Sequence, residues 1–157
     1  MNNISRDLDA VERKLLVLLQ QDATLSQGEL AERVGASSAS VWRRIKNLET
    51  DGFLTRTVRL VDAERIGRGV NVLCHVRMKS HVREVRDAFE RFICDQPEVT
   101  ECFSMTGDFD YLLRVVVAGV ADYNEFLMNH LLSHPSVAGA ASHFSLKLVK
   151  HTTVMPI

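Results

Sequence analysis

Two short helical stretches, each with its own capping signal and joined by a turn of three or four residues that contains a glycine, constrain this chain more than any other feature. Ser26 and Glu29 stand in the S-x-x-E spacing of a capping box, in which each side chain satisfies an amide that the first helical turn leaves open. Leu30, Ala31 and Val34 give the helix that follows its apolar stripe. Gly35 tolerates the positive φ of a helix C′ position, and Ser37 caps a further helix whose apolar positions are Val41, Ile45 and Leu48. Asp51-Gly52 stops it. Two helices joined by a short glycine-containing turn form the helix-turn-helix layout.

A third helix precedes them. Asp9 and Glu12 make another capping-box pair, and Val11, Leu15, Leu18 and Leu19 recur at helical spacing until Gln20-Gln21-Asp22. Phe53 to Val61 then turns β-like and basic, with Arg56 and Arg59, and residues 62–69 read as a linker with two glycines. Beyond it Val70, Val72, Cys74, Val76 and Met78 alternate with polar residues, as in a strand with one buried face. Val82, Val85, Phe89, Phe92 and Ile93 mark an amphipathic helix. Val99 to Thr106 and Tyr111 to Ala118 are two strands, Tyr123, Leu127 and Leu131 mark a second helix, and Val137 to Val149 is the last strand. The order β-α-β-β-α-β is the ferredoxin-like arrangement.

The expected fold is thus α+β. A winged-type helix-turn-helix domain occupies residues 1–61, a linker 62–69, and a ferredoxin-like βαββαβ domain 70–157. The 157 residues have room for two such small domains. No apolar run spans a bilayer, and the charged N-terminus is unlike a signal peptide, so the expectation is a cytoplasmic protein with no membrane partner. The three cysteines, Cys74, Cys94 and Cys102, form no C-x-x-C pair, and neither a disulfide framework nor a zinc site is expected.

A formal net charge of −1 does not advertise a nucleic-acid binder, so the argument rests on where the basic residues lie. At 100° per residue, Val41, Ile45 and Leu48 fall within about 60° of one another on the core face of their helix. The opposite face collects Ala39, Ser40, Arg43, Lys46 and Asn47, with Arg44 and Trp42 on its flanks, and no acidic residue interrupts positions 36–48. Arg and Lys engage guanine edges or phosphates, Asn pairs with adenine, and small residues allow close approach. Ser37 and Ser38 at the helix N-terminus favour a phosphate. The expected DNA-binding residues are Ser37, Ser38, Ser40, Trp42, Arg43, Arg44, Lys46 and Asn47. Trp42 packs either on the sugar-phosphate backbone or on the protein. One such module binds weakly, so a dimer reading two half-sites on double-stranded DNA is expected.

A second constellation is Met105-Thr106-Gly107-Asp108-Phe109-Asp110-Tyr111, between two strands. Its two carboxylates suit an α-ammonium group, and amides around Gly107 suit a carboxylate. The bland alternative is a tight turn. No histidine or cysteine lies nearby in sequence to build a catalytic set, so no enzyme is expected. His130 and His134 are four residues apart without an evident third ligand, so no metal and no cofactor are expected.

Together these residues resemble the Lrp/AsnC regulators. The resemblance is carried by Asp7-Leu8-Asp9, Leu16-x-x-Leu19-Gln20-x-Asp22, Glu29-Leu30-Ala31, Val34-Gly35, Arg44-Ile45-x-x-Leu48-Glu49 and Asp51-Gly52, then by Thr106-Gly107-Asp108-x-Asp110-Tyr111-Leu112-Leu113. The closing Lys150-His151-Thr152-Thr153-x-x-Pro156 is similar to the amino-acid-responsive proteobacterial branch. Ala36, where the family has Leu, and the large Trp42 depart from its pattern.

The resemblance implies a transcription regulator whose oligomeric state or DNA binding responds to an amino acid, with leucine, methionine or cysteine as candidates. It implies effector contacts from Met105 to Tyr111 and from Ser142. It also implies pairing through the C-terminal sheets and a strand near Leu54 to Leu60, with dimers assembling to tetramers or octamers. The alternatives are an architectural DNA-binding protein with little effector response, and a sirohaem-decarboxylase-like enzyme of the same architecture.

Overall fold

The computed structural model describes residues 6–157. They divide into two compact units, one reaching to Arg59 and including Lys150–Ile157, the other Leu60–Val149.

The first unit is built on α1 (Ala10–Gln21), α2 (Gln27–Val34) and α3 (Ser38–Thr50). Both capping boxes form. Asp9 accepts the Glu12 amide at 2.8 Å while Glu12 accepts that of Asp9 at 3.1 Å. Ser26 and Glu29 do the same at 3.2 and 2.8 Å. Gly35 takes φ +69°, a left-handed conformation that costs a glycine little, and the Ala36 amide bonds back to the Ala31 carbonyl at 3.0 Å. Ser37 caps α3 by accepting the Ser40 amide. Leu15, Leu16, Leu30, Ala31, Val41 and Leu48 close into one core; α2 and α3 contribute the stripes their periodicity marks, while α1 buries Leu15 and Leu16, the latter outside its expected stripe, with Val11, Leu18 and Leu19 partly buried.

Three boundaries differ from the sequence expectation. Residues 55–61 form no strand within the chain, and Val58, Leu60 and Val61 stay exposed. An isolated β-like segment has no neighbour to take its amides and carbonyls. The last strand stops at Phe144 instead of Val149, leaving Leu146, Leu148 and Val149 exposed. Lys150–Ile157 joins the first unit: the Gln20 amide donates to the Met155 carbonyl at 3.3 Å and accepts its N–H at 2.6 Å.

The second unit is a four-stranded antiparallel sheet of β1 (Val70–Met78), β2 (Val99–Ser104), β3 (Tyr111–Val117) and β4 (Val137–Phe144), in the order β2-β3-β1-β4. With α4 (Arg83–Cys94) and α5 (Val120–Glu125) between strands, this is the expected ferredoxin-like topology. Val72, Cys74, Val76, Leu113, Val115 and Val117 are fully buried and pack with Phe89, Ile93, Tyr123, Phe126 and Leu131 of the helices. After α5 the backbone continues as a π-helical turn (Phe126–Leu131), and the buried Phe126 and Leu131 are spaced five apart as its wider winding requires. No helix among the described residues is long and apolar enough to cross a membrane.

Candidate functional site

On α3, Ser37, Ser38, Trp42, Arg43, Lys46 and Asn47 are exposed and Ser40 is partly covered. The exposed residues keep their side chains outside the three-helix core, and Trp42 is 52% exposed. Lys46 pairs at 2.6 Å with Glu49 one turn on, an exposed contact that a phosphate can replace at small cost.

Arg44 is the exception on this helix. Its guanidinium is drawn to the start of α1, where it pairs with Asp9 and lies 3.7 Å from Glu12. Glu12 is only 4% exposed and takes two hydrogen bonds from Arg6, at 2.8 and 2.9 Å. Arg6 reaches on to Asp51 at 2.6 Å, just past the end of α3. The Arg6 hydrogen bonds hold the Glu12 carboxyl below its ordinary value against the opposing effect of burial. The Asp9 carboxyl is lowered too, by the Glu12 amide and then by Arg44. In the chain by itself, Arg44 thus forms an internal tie and does not project with Arg43 and Lys46. Its partner lies 35 residues away, beyond the reach of helical periodicity.

In the second unit, the loop between β2 and β3 is pinned at its ends. Met105 donates to the Asp110 carbonyl at 2.8 Å, and Asp110 donates to the Val76 carbonyl at 2.9 Å. Gly107 at φ +111° supplies a turn that other residues adopt only under strain. The Asp110 side chain points inward: Oδ2 accepts the Met78 amide at 2.7 Å and Oδ1 lies 3.2 Å from His81 Nδ1. Asp108 is exposed. Met105 is exposed, Thr106 likewise, and Phe109 is partly buried. The Phe109 ring packs 5.2 Å from His75, with the Arg77 guanidinium also 5.2 Å from it.

Two residues expected at the effector site face the helices. Tyr111 is buried 4.8 Å from the Phe89 ring and donates its hydroxyl to Glu90 at 2.7 Å. Burial raises its phenol well above the ordinary value. Ser142 pairs with Cys74 across the β1–β4 ladder and so shares its buried face, where its hydroxyl meets that of Tyr123 at 2.5 Å. Strand alternation sends both side chains to the face that the loop does not open upon. His75, Arg77 and His81 also lie beside the loop and were not among the residues expected there. Arg77 and His75 lie on the polar side of β1's alternation, but only the sheet order brings that side beside the loop.

A depression of about 460 Å³ elsewhere in this unit is lined by Arg68, Glu98, Asp122, Phe126 and His130 among others. Buried side-chain polar atoms without a partner among the described residues are Arg44 Nε and His75 Nδ1, and neither residue lines it. His134 stacks on Phe92 and His130 on Phe126, so the two rings separate onto different neighbours. Burial pushes the Cys102 thiol up to about 11 and raises that of Cys74, which disfavours the reactive thiolate.

Comparison with known proteins identifies both units. Residues 8–55 match the winged helix-turn-helix DNA-binding family, and residues 71–155 match the Lrp/AsnC ligand binding domain. The DNA-binding transcriptional activator DecR of Escherichia coli is 40% identical over 150 residues, covering 96% of this chain and 99% of that protein. The glutamate uptake regulatory protein of Zymomonas mobilis is 38% identical, covering 97% and 92%. Among solved structures, the transcriptional regulator NMB0573 of Neisseria meningitidis in complex with L-Met superposes with a TM-score of 0.91. It is 35% identical, covering 96% of this chain and 97% of that one. These relatives are regulators and not enzymes, which removes the decarboxylase alternative. The chain is a member of the Lrp/AsnC family, a DNA-binding transcriptional regulator with a winged helix-turn-helix and a ligand-binding domain.

Proposed function

We propose that the protein is a sequence-specific transcription regulator whose DNA binding or assembly is switched by an amino acid bound at the Met105–Asp110 loop. One observation carries the reading. The same chain holds an exposed basic face on a capped recognition helix and an anchored glycine loop that leaves Asp108 and its own amides accessible. Arg43, Lys46, Asn47, Ser37, Ser38, Ser40 and Trp42 read or grip DNA, and Arg44 keeps their helix in position. The effector is a small or apolar amino acid. Methionine is supported by the L-Met bound to NMB0573; leucine shares its apolar character and cysteine its sulfur.

A dimer fits the same account. Leu73 and Phe103 lie exposed on the face of the sheet opposite the helices, at 41% and 51%. The unpaired apolar segments around Val58 to Val61 and Leu146 to Val149 also need a partner. A second copy covers these surfaces and spaces two recognition helices over two half-sites; pairs of dimers give the larger assemblies. The test is duplex selection from a random-sequence pool, followed by binding titrations with and without each amino acid. A selected consensus whose affinity one amino acid shifts supports the reading. Even, salt-sensitive binding to every duplex with no ligand shift points to an architectural protein.

A further inference from the structure

We propose that Arg77 is the effector's carboxylate anchor, so that the ligand must carry a free α-carboxylate and Asp110 is a fixed support, not a ligand contact. The proposal rests on the effector reading above and specifies its chemistry.

The loop has the form of an anion receptor. Among the described residues, the backbone N–H groups of Thr106, Gly107, Asp108 and Phe109 make no hydrogen bond, while those of Met105 and Asp110 at the two ends do. A run of amides around a positive-φ glycine forms a concavity that suits a carboxylate. Arg77 stands beside it. Its Nε donates to the Asp108 carbonyl at 3.3 Å and its guanidinium lies over the Phe109 ring. The Nε bond to Asp108 is its one hydrogen bond among the described residues, so its two terminal nitrogens have no partner there. Stacking and the Nε bond fix the plane of the fork while leaving its outer edge to donate, the arrangement that suits two-point capture of a carboxylate.

The two acids then take separate roles. Both Asp110 oxygens are occupied, by the Met78 amide and by His81. Asp108 is exposed with no side-chain partner, which leaves it to receive the α-ammonium. His75 packs on Phe109 and holds a buried, unpartnered Nδ1. That nitrogen is a further polar group beside the loop without a protein partner.

The experiment uses the full-length protein. The twenty L-amino acids are screened by thermal shift, and dissociation constants for the strongest and for its α-amide are measured by calorimetry on wild type, Arg77→Gln and Arg77→Lys. The proposal predicts that wild type binds the amide at least about tenfold more weakly than the acid, that Arg77→Gln loses about tenfold or more toward the acid, and that its amide affinity stays within about twofold of the wild-type amide value. Arg77→Lys recovers part of the loss, because charge returns without the planar fork. Arg77→Gln binding the acid as tightly as wild type overturns the Arg77 assignment alone. A flat screen, or a Gly107→Val variant that folds and binds the acid unchanged, overturns the loop reading beneath it.

Discussion

Arg44 belongs to the recognition helix by sequence, yet its guanidinium is bound to Asp9, the residue that caps the first helix. Glu12 sits behind both, held by Arg6. Five charged residues, Arg6, Asp9, Glu12, Arg44 and Asp51, thus join the start of α1 to both the middle and the end of α3. The tie adds to the core contacts of Val41 and Leu48 in holding α3, from which Arg43 and Asn47 project.

Neighbouring arginines should therefore behave differently. Arg43→Ala is expected to weaken binding to a selected operator by about 1–3 kcal/mol with an unchanged melting temperature. Arg44→Ala is expected to destabilise the N-terminal unit by about 1 kcal/mol, since its ion pairs are partly solvent-screened. Paired thermal melts and anisotropy titrations separate the two. A stable Arg44→Ala protein that has lost base discrimination would return Arg44 to the reading face.

The same network sets a pH dependence. The Glu12 and Asp9 carboxyls are lowered on folding, so their contribution is complete above the ordinary carboxylate range and disappears as pH falls through the folded-state values. Denaturant unfolding of wild type and Glu12→Gln should differ most near neutrality and converge at acid pH. A constant gap between the two proteins down to about pH 2, well below the ordinary carboxylate range, would mean that charge at Glu12 is irrelevant.

The two loop acids should also separate. Asp110→Ala strips the Met78 amide of its acceptor and is expected to cost about 1–3 kcal/mol of stability, whereas Asp110→Asn keeps an acceptor and costs less. Asp108→Asn should leave stability unchanged and weaken the effector. Urea unfolding alongside ligand titration checks both, and equal stability of the three variants would contradict the supporting role of Asp110.

Phe89 is fully buried against Tyr111 and Phe92, so Phe89→Ala is expected to cost about 3–5 kcal/mol. Tyr111→Phe removes only the bond to Glu90 and should cost about 1 kcal/mol. If chemical denaturation ranks them the other way, the hydroxyl and not the ring stack holds α4 to the sheet.

What the sequence made legible was local. The capping boxes at Asp9–Glu12 and Ser26–Glu29, the left-handed Gly35 and the alternation of β1 each depend on residues a few positions apart, and each appears in the fold. Side-chain contacts across the chain were not legible. Asp9 competes for Arg44 from 35 residues away, whereas the place of β1 between β3 and β4 follows from the expected βαββαβ order. Tyr111 was half legible, because its parity with Leu113, Val115 and Val117 already places it on the buried face. The apolar segments 55–61 and 145–149 read as strands, but a strand exists only against a partner, and the single chain has none for them.

The central claim is that one chain couples amino-acid binding to operator binding. The most direct measurement is fluorescence anisotropy of a labelled, selected operator duplex titrated with the full-length protein at fixed salt, without effector and with the amino acid that stabilises the protein most. The account predicts a shift of the binding curve by about fivefold or more in either direction, and no shift with Asp108→Asn. Superimposable curves at an effector concentration that saturates the wild-type protein would contradict it.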